Sequence, residues 1–150
     1  MAPGREQVLS GSVFRLALVV RAFPAHSPKP RPDHFRPTEK EKQLARERNE
    51  PPLVSVFDVA RTTVLEAQSF RTRPTPTVAF KLHIPDVLKL ALPDGTGYLC
   101  VVRDPLPELA GQPGGDGHCG IEGLGRPKGA PKAAYKALRS RLCDLAELHG

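Results

Sequence analysis

Residues Thr77–Ile84 read TVAFKLHI, and this stretch decides the fold class. Val78, Phe80, Leu82 and Ile84 alternate with Ala79, Lys81 and His83, the period-two pattern of a strand with one buried and one wetter face. On either side the chain supplies partners of two kinds. Val13–Val20 and Leu53–Phe57 (LVSVF) are short β-branched and aliphatic runs, and Tyr98–Val102 (YLCVV) is another, all of strand type. At the far end Pro131–Leu148 has helical spacing instead, with Tyr135, Leu138, Leu142 and Leu145 on one stripe. The combination predicts an α+β or small α/β protein, with three to four short strands packed against a C-terminal amphipathic helix and one or two further helices.

The further helices announce themselves through their caps. Thr38-Glu39-Lys40-Glu41 is a capping box that opens the helix TEKEKQLARERN, which Asn49 and Pro51 close. Leu44 and Ala45 are its only apolar anchors, so it is expected on the surface along one thin buried line. A second helix is expected over ARTTVLEAQSFR after Asp58. There Thr63 and Glu66 again have capping-box spacing, and Val64, Ala67 and Phe70 share a face. A short helix, PDVLKLAL, is expected from Pro85 until Pro93-Asp94-Gly95 breaks it. The strand–helix–strand order over residues 53–84 permits a parallel crossover.

Proline marks where regular structure stops. The chain has 17 prolines in 150 residues, well above the usual share of about 5%. Pro24, Pro28, Pro30, Pro32 and Pro37 make residues 22–37 an extended linker or surface loop, because each lacks an amide donor and restricts its predecessor. The expected organisation is an N-terminal strand and Pro-rich linker over 1–37, then a single small domain over 38–150. The first strand is expected to complete the protein's own sheet, and residues 1–12, without periodicity, to form a mobile end. Residues 104–131 carry glycines and prolines throughout and are expected to form one long loop.

Charge is unevenly distributed. Residues 1–50 hold 10 Lys and Arg against 6 acids, residues 51–124 hold 6 against 8, and residues 125–150 hold 6 against 2. Basic character therefore lies at both ends of a chain of net charge +6. Such asymmetry suits an anionic partner, whether nucleic acid or an acidic protein. Cys100, Cys119 and Cys143 are three widely spaced cysteines without a CxxC pair, a pattern expected in a reducing cytoplasm rather than in a disulfide framework. The hydrophobic run VFRLALVVRAF at 13–23 is interrupted by Arg15 and Arg21 and is too short to span a membrane, so a core strand is expected there.

Two segments carry candidate chemistry. In GGDGHCGIEGL at 114–124, Cys119 stands beside His118 with Asp116 nearby, among glycines that free the backbone to face an anion. These are the ingredients of a cysteine-dependent hydrolase or transferase, with Cys119 as nucleophile and His118 or His83 as base. Neighbours on an extended chain point to opposite sides, which sets His118 away from its neighbour's thiol. The structural alternative tucks Ile121 and Leu124 into the core. No metal or cofactor is expected, since an adjacent His-Cys pair lacks the spacing of zinc ligands, and neither a phosphate-loop nor a dinucleotide-binding motif is present.

The second segment is the entry to the last helix. Arg126 and Lys128 precede it, and Lys132, Lys136 and Arg139 follow at helical spacing, with Asp144 and Glu147 near its end. This order opposes the helix dipole, so stability of the helix does not account for it, whereas an anion bound there does. The leading expectation is a non-enzymatic binding or accessory protein that engages an anionic or protein partner, nucleic acid included, through this basic helix. No aromatic interleaves the cations, which leaves base stacking without support.

Overall fold

The computed structural model describes residues 6–7, 15–21, 29–59, 77–103 and 118–148. Among them, strands β1 (Glu6–Gln7), β2 (Arg15–Arg21), β3 (Leu53–Asp58), β4 (Thr77–His83), β5 (Cys100–Arg103), β6 (His118–Glu122) and β7 (Glu147–Leu148) form one sheet. Helices α1 (Glu39–Arg48), α2 (Ile84–Val87) and α3 (Lys132–Leu145) accompany it, with a 3₁₀ turn at Pro32–Phe35. The protein is α+β. Strand order is β1-β5-β6-β3-β2-β4-β7, and every pairing is antiparallel.

The alternating strand at Thr77–His83 pairs along its whole length with β2, Leu16 facing Leu82 and Leu18 facing Phe80. These four side chains are at most 2% exposed because they meet α3 and the 3₁₀ turn on the same face of the sheet. β2 thus lies between β3 and β4 in the sheet interior. β3 and β4 run in the same direction with β2 between them, and the connection that joins them lies outside the described residues. The helix read at 60–71 lies outside the described residues.

α3 presents Tyr135, Leu138 and Leu142 to this core, joined by Phe35 from the turn and by Val54, Val56 and Ile121 from the sheet. Each such side chain taken fully out of water contributes about 1.5–3 kcal/mol. The helix ends sooner than its apolar pattern implies. The Ala146 amide still donates to the Leu142 carbonyl, but Glu147 and Leu148 leave the helix and pair with Lys81 and Phe80. Leu145 is the last helical residue.

α1 begins at the expected box. The Thr38 amide donates to Glu41 Oε1 at 2.8 Å, and the Glu41 amide donates to Thr38 Oγ1 at 3.1 Å. Asn49, in the left-handed conformation at φ 53°, caps the other end. Glu41 has a second task. β2 and β3 pair only at Leu16–Asp58 and Ala17–Phe57. Farther along β3, Glu41 Oε2 accepts from both the Ser55 amide and its hydroxyl, at 2.9 and 2.8 Å. One carboxylate therefore closes a helix start and satisfies a strand amide. Leu44, read as an anchor, is 39% exposed, and Ala45 alone on α1 is buried.

Three local expectations are corrected. Residues 118–122 are not loop but a strand, with Cys119 and Ile121 facing the core opposite Val56 and Val54. Gly120 lies between them for lack of space: a Cβ there would stand 2.6 Å from Leu53 Cβ. The run after Pro85 makes a single short helix, α2, and then a hairpin in which Ala91 bridges Tyr98. At the N-terminal end, Glu6 and Gln7 are paired with Arg103 and Val102. Replacement of Gly120 by Ala is expected to destabilise the fold by about 1–3 kcal/mol through overpacking against Leu53. In urea unfolding the midpoint falls while the slope stays constant.

Candidate functional site

The first candidate segment becomes part of the sheet. Cys119 is fully buried on the core face, opposite Val56 on β3 and Arg103 on β5. His118, 6% exposed, takes the other face and meets Phe57 edge-on, with ring centroids 5.4 Å apart. Ile121 and Leu124 are both fully buried. His83 ends β4, which is separated from β6 by two intervening strands, and lies on the face opposite Cys119, a lateral separation of roughly 14 Å at the usual strand spacing. The fold does not bring the imidazole of His83 to the Cys119 thiol. Asp116 lies outside the described residues.

A different pair stands beside Cys119. Arg103 Nη1 donates to Asp58 Oδ2 at 3.0 Å, and the Asp58 side chain is only 2% exposed. The partners are 45 residues apart and sit at the ends of β5 and β3, so nothing local in the sequence links them. A buried carboxylate is tolerated here because the guanidinium compensates its lost hydration. On the opposite face Cys100 Sγ donates to Glu122 Oε2 at 3.1 Å across β5 and β6. Cys100, Cys119 and Cys143 are all free thiols.

The second candidate segment is assembled at the start of α3. Residues 125–130 form a turn that closely approaches Pro52, just before β3. Gly125 packs where a Cβ would lie 2.7 Å from Pro52 Cγ, and Gly129 takes φ +86°. Arg126 Nη1 donates to the Ala130 carbonyl at 2.8 Å, and Arg139 Nη2 to the Leu124 carbonyl at 2.8 Å. Both guanidiniums are held by the backbone, each with further donors left over. Lys128, Lys132 and Lys136 are exposed beside them.

Arg36, from the end of the 3₁₀ turn, completes the group because that turn packs on α3. Burial holds the Arg139 pKa below its ordinary value, and the positive charges of Arg36 and Arg126 push the same way, with Asp33 opposing. The Nε of Arg139 is buried with no acceptor among the described residues. Arg36 was hidden in the sequence among the prolines of residues 22–37. The other end of α3 is also completed from a distance. Lys29 Nζ donates to the carbonyls of Asp144 and Ala146, both at 2.9 Å, and so supplies the cation that the helix's own last turn lacks.

Comparison with protein-family models, with curated proteins and with solved structures finds no match. Among the described residues no group of His, Cys, Asp and Glu is placed to hold a metal ion, and no helix is long and apolar enough to cross a membrane.

The thiols offer a direct check. Cys119 is expected to alkylate in the native protein at neutral pH far more slowly than in a denatured control, since its sulfur is buried between strands. Native labelling as fast as the control would return Cys119 to consideration as a nucleophile. Burial, followed by the charge of Asp144, raises the Cys143 thiol to about 11 from 9.0. Between those two values the unfolded chain releases a proton that the folded chain keeps, so stability falls as pH rises through this window. Cys143→Ser, neutral throughout, is expected to flatten that fall in denaturation curves recorded from pH 8 to 11.

Proposed function

We propose that this chain is a binding or accessory protein that engages an anionic partner through the basic face at the start of α3, and that it works in a reducing cytoplasm rather than as an enzyme. The observation that carries the proposal is the gathering of Arg36, Arg126 and Arg139 from three separate segments, close enough for the first two to disfavour the charge of the third. Like charges brought together weaken a fold, and a bound anion relieves them. Arginine suits this task because its planar fork binds carboxylate or phosphate through two hydrogen bonds at once.

Lys128, Lys132 and Lys136 widen the patch and make no ion pair among the described residues, so they bring charge at little structural cost. Full burial of the Cys119 thiol in the sheet favours binding over nucleophilic chemistry. Free thiols at all three cysteines accord with a reducing compartment.

On an immobilised polyanion such as heparin, the protein is expected to be retained at low salt and released as ionic strength rises, because exposed charges are screened. Lys132→Glu with Lys136→Glu reverses two exposed charges and touches no core residue. The double variant is expected to elute at markedly lower salt with an unchanged circular dichroism spectrum. Elution of the folded variant at the salt concentration of the parent protein would refute the assignment.

A further inference from the structure

We propose that the anion engaged by this face is the backbone of double-helical DNA, with α3 lying along the major groove; the inference rests on the anion-binding reading and narrows it. Successive residues of a helix are turned by roughly 100° about its axis. Lys132 and Lys136 therefore occupy one edge of the exposed side of α3, and Arg141, also exposed, lies on the opposite edge. Between the two edges stand Ala133, Ala137 and Ser140.

A compact acidic patch on a protein needs cations on one side only. A groove has two phosphate walls and rewards cations on both. With side chains an α-helix measures about 10–12 Å across, close to the roughly 12 Å width of the major groove. Short side chains along the centre let the helix axis sink until both cationic edges reach the phosphates. Arg139, seven residues after Lys132, shares its edge of the helix, and Arg126 and Arg36, whose charges act on Arg139, would extend the contact to the neighbouring backbone.

The acids near this surface limit its extent. Asp33 offsets part of the positive charge around Arg139, and Asp144 sits on the exposed arc in the last turn. The contact is therefore confined to the helix up to Arg141. Ser140 alone among the central side chains offers a hydrogen bond to a base edge, so binding is expected to be almost independent of sequence.

The experiment is fluorescence anisotropy of the full chain with a labelled 20-base-pair DNA duplex, a duplex RNA of the same length, and polyglutamate of matched charge. Binding to DNA is expected to be at least tenfold tighter than to either alternative, since the deep, narrow major groove of RNA does not admit a helix. The logarithm of the DNA binding constant is expected to fall with the logarithm of salt concentration at a slope of about −4, for four to five phosphates neutralised. Ala137→Trp adds bulk at an exposed position. It is expected to weaken DNA binding at least tenfold while the protein stays folded and its polyglutamate binding is unchanged.

Arg141→Glu, on the edge away from the arginine cluster, is expected to weaken DNA binding by a larger factor than polyglutamate binding. RNA or polyglutamate binding as tight as DNA binding, or DNA binding insensitive to both substitutions, would overturn the groove inference and leave the anion-binding reading standing. Absence of binding to all three polyanions at low salt would overturn both.

Discussion

β6 holds the sheet together, and it does so because residue 120 has no side chain. β1 and β5 reach the remainder of the sheet only through β6, which pairs with β5 on one side and β3 on the other. At Gly120 the strand passes beneath Leu53, in a space already filled by the leucine's Cβ, Cγ and Cδ1. A glycine in a strand interior ordinarily weakens it, since it packs nothing and loses the most backbone freedom on folding. Here the neighbour's side chain fills the volume the glycine leaves, while Cys119 and Ile121 seal the core face on either side.

With the sheet joined, the remaining elements have a floor to pack on. α3 and the 3₁₀ turn cover the core face through Leu138, Leu142 and Phe35, and Lys29 closes the helix's last carbonyls. The same packing has an electrostatic consequence. Seating the turn on α3 brings Arg36 towards Arg139, and seating the 124–130 segment against Pro52 positions Arg126. The basic face is thus produced by the apolar contacts beneath it. Hydrophobic burial is stronger than the mutual repulsion of partly hydrated guanidiniums, so the fold tolerates the cluster.

Where local patterns agreed with the tertiary environment, they were legible. The box at Thr38 and Glu41, the left-handed cap at Asn49, the alternation in Thr77–His83 and the stripe on α3 all depend on neighbours within one or two turns. Segments whose conformation depends on distant partners were not. HCGIE at 118–122 looks like loop because Gly120, the glycines that flank the segment and its polar residues carry the signals of a turn, and only the covering leucine and two flanking strands make it extended. The end of α3 misleads in the opposite sense, since Glu147 and Leu148 continue a helical pattern but find β4 instead.

The site divides in the same way. Composition and spacing along the chain determined that positive charge gathers around Arg126–Arg139, that helices and strands both occur, and that His118 and Cys119 diverge. Each of these follows from residue identity and the geometry of a single element. Tertiary structure alone decided that Cys119 is enclosed between Val56 and Arg103, that Asp58 is matched by a guanidinium 45 residues away, and that Arg36 joins the cluster on α3. Burial and charge proximity depend on distances through space, and a chain's sequence specifies those only through the packing of all its parts together.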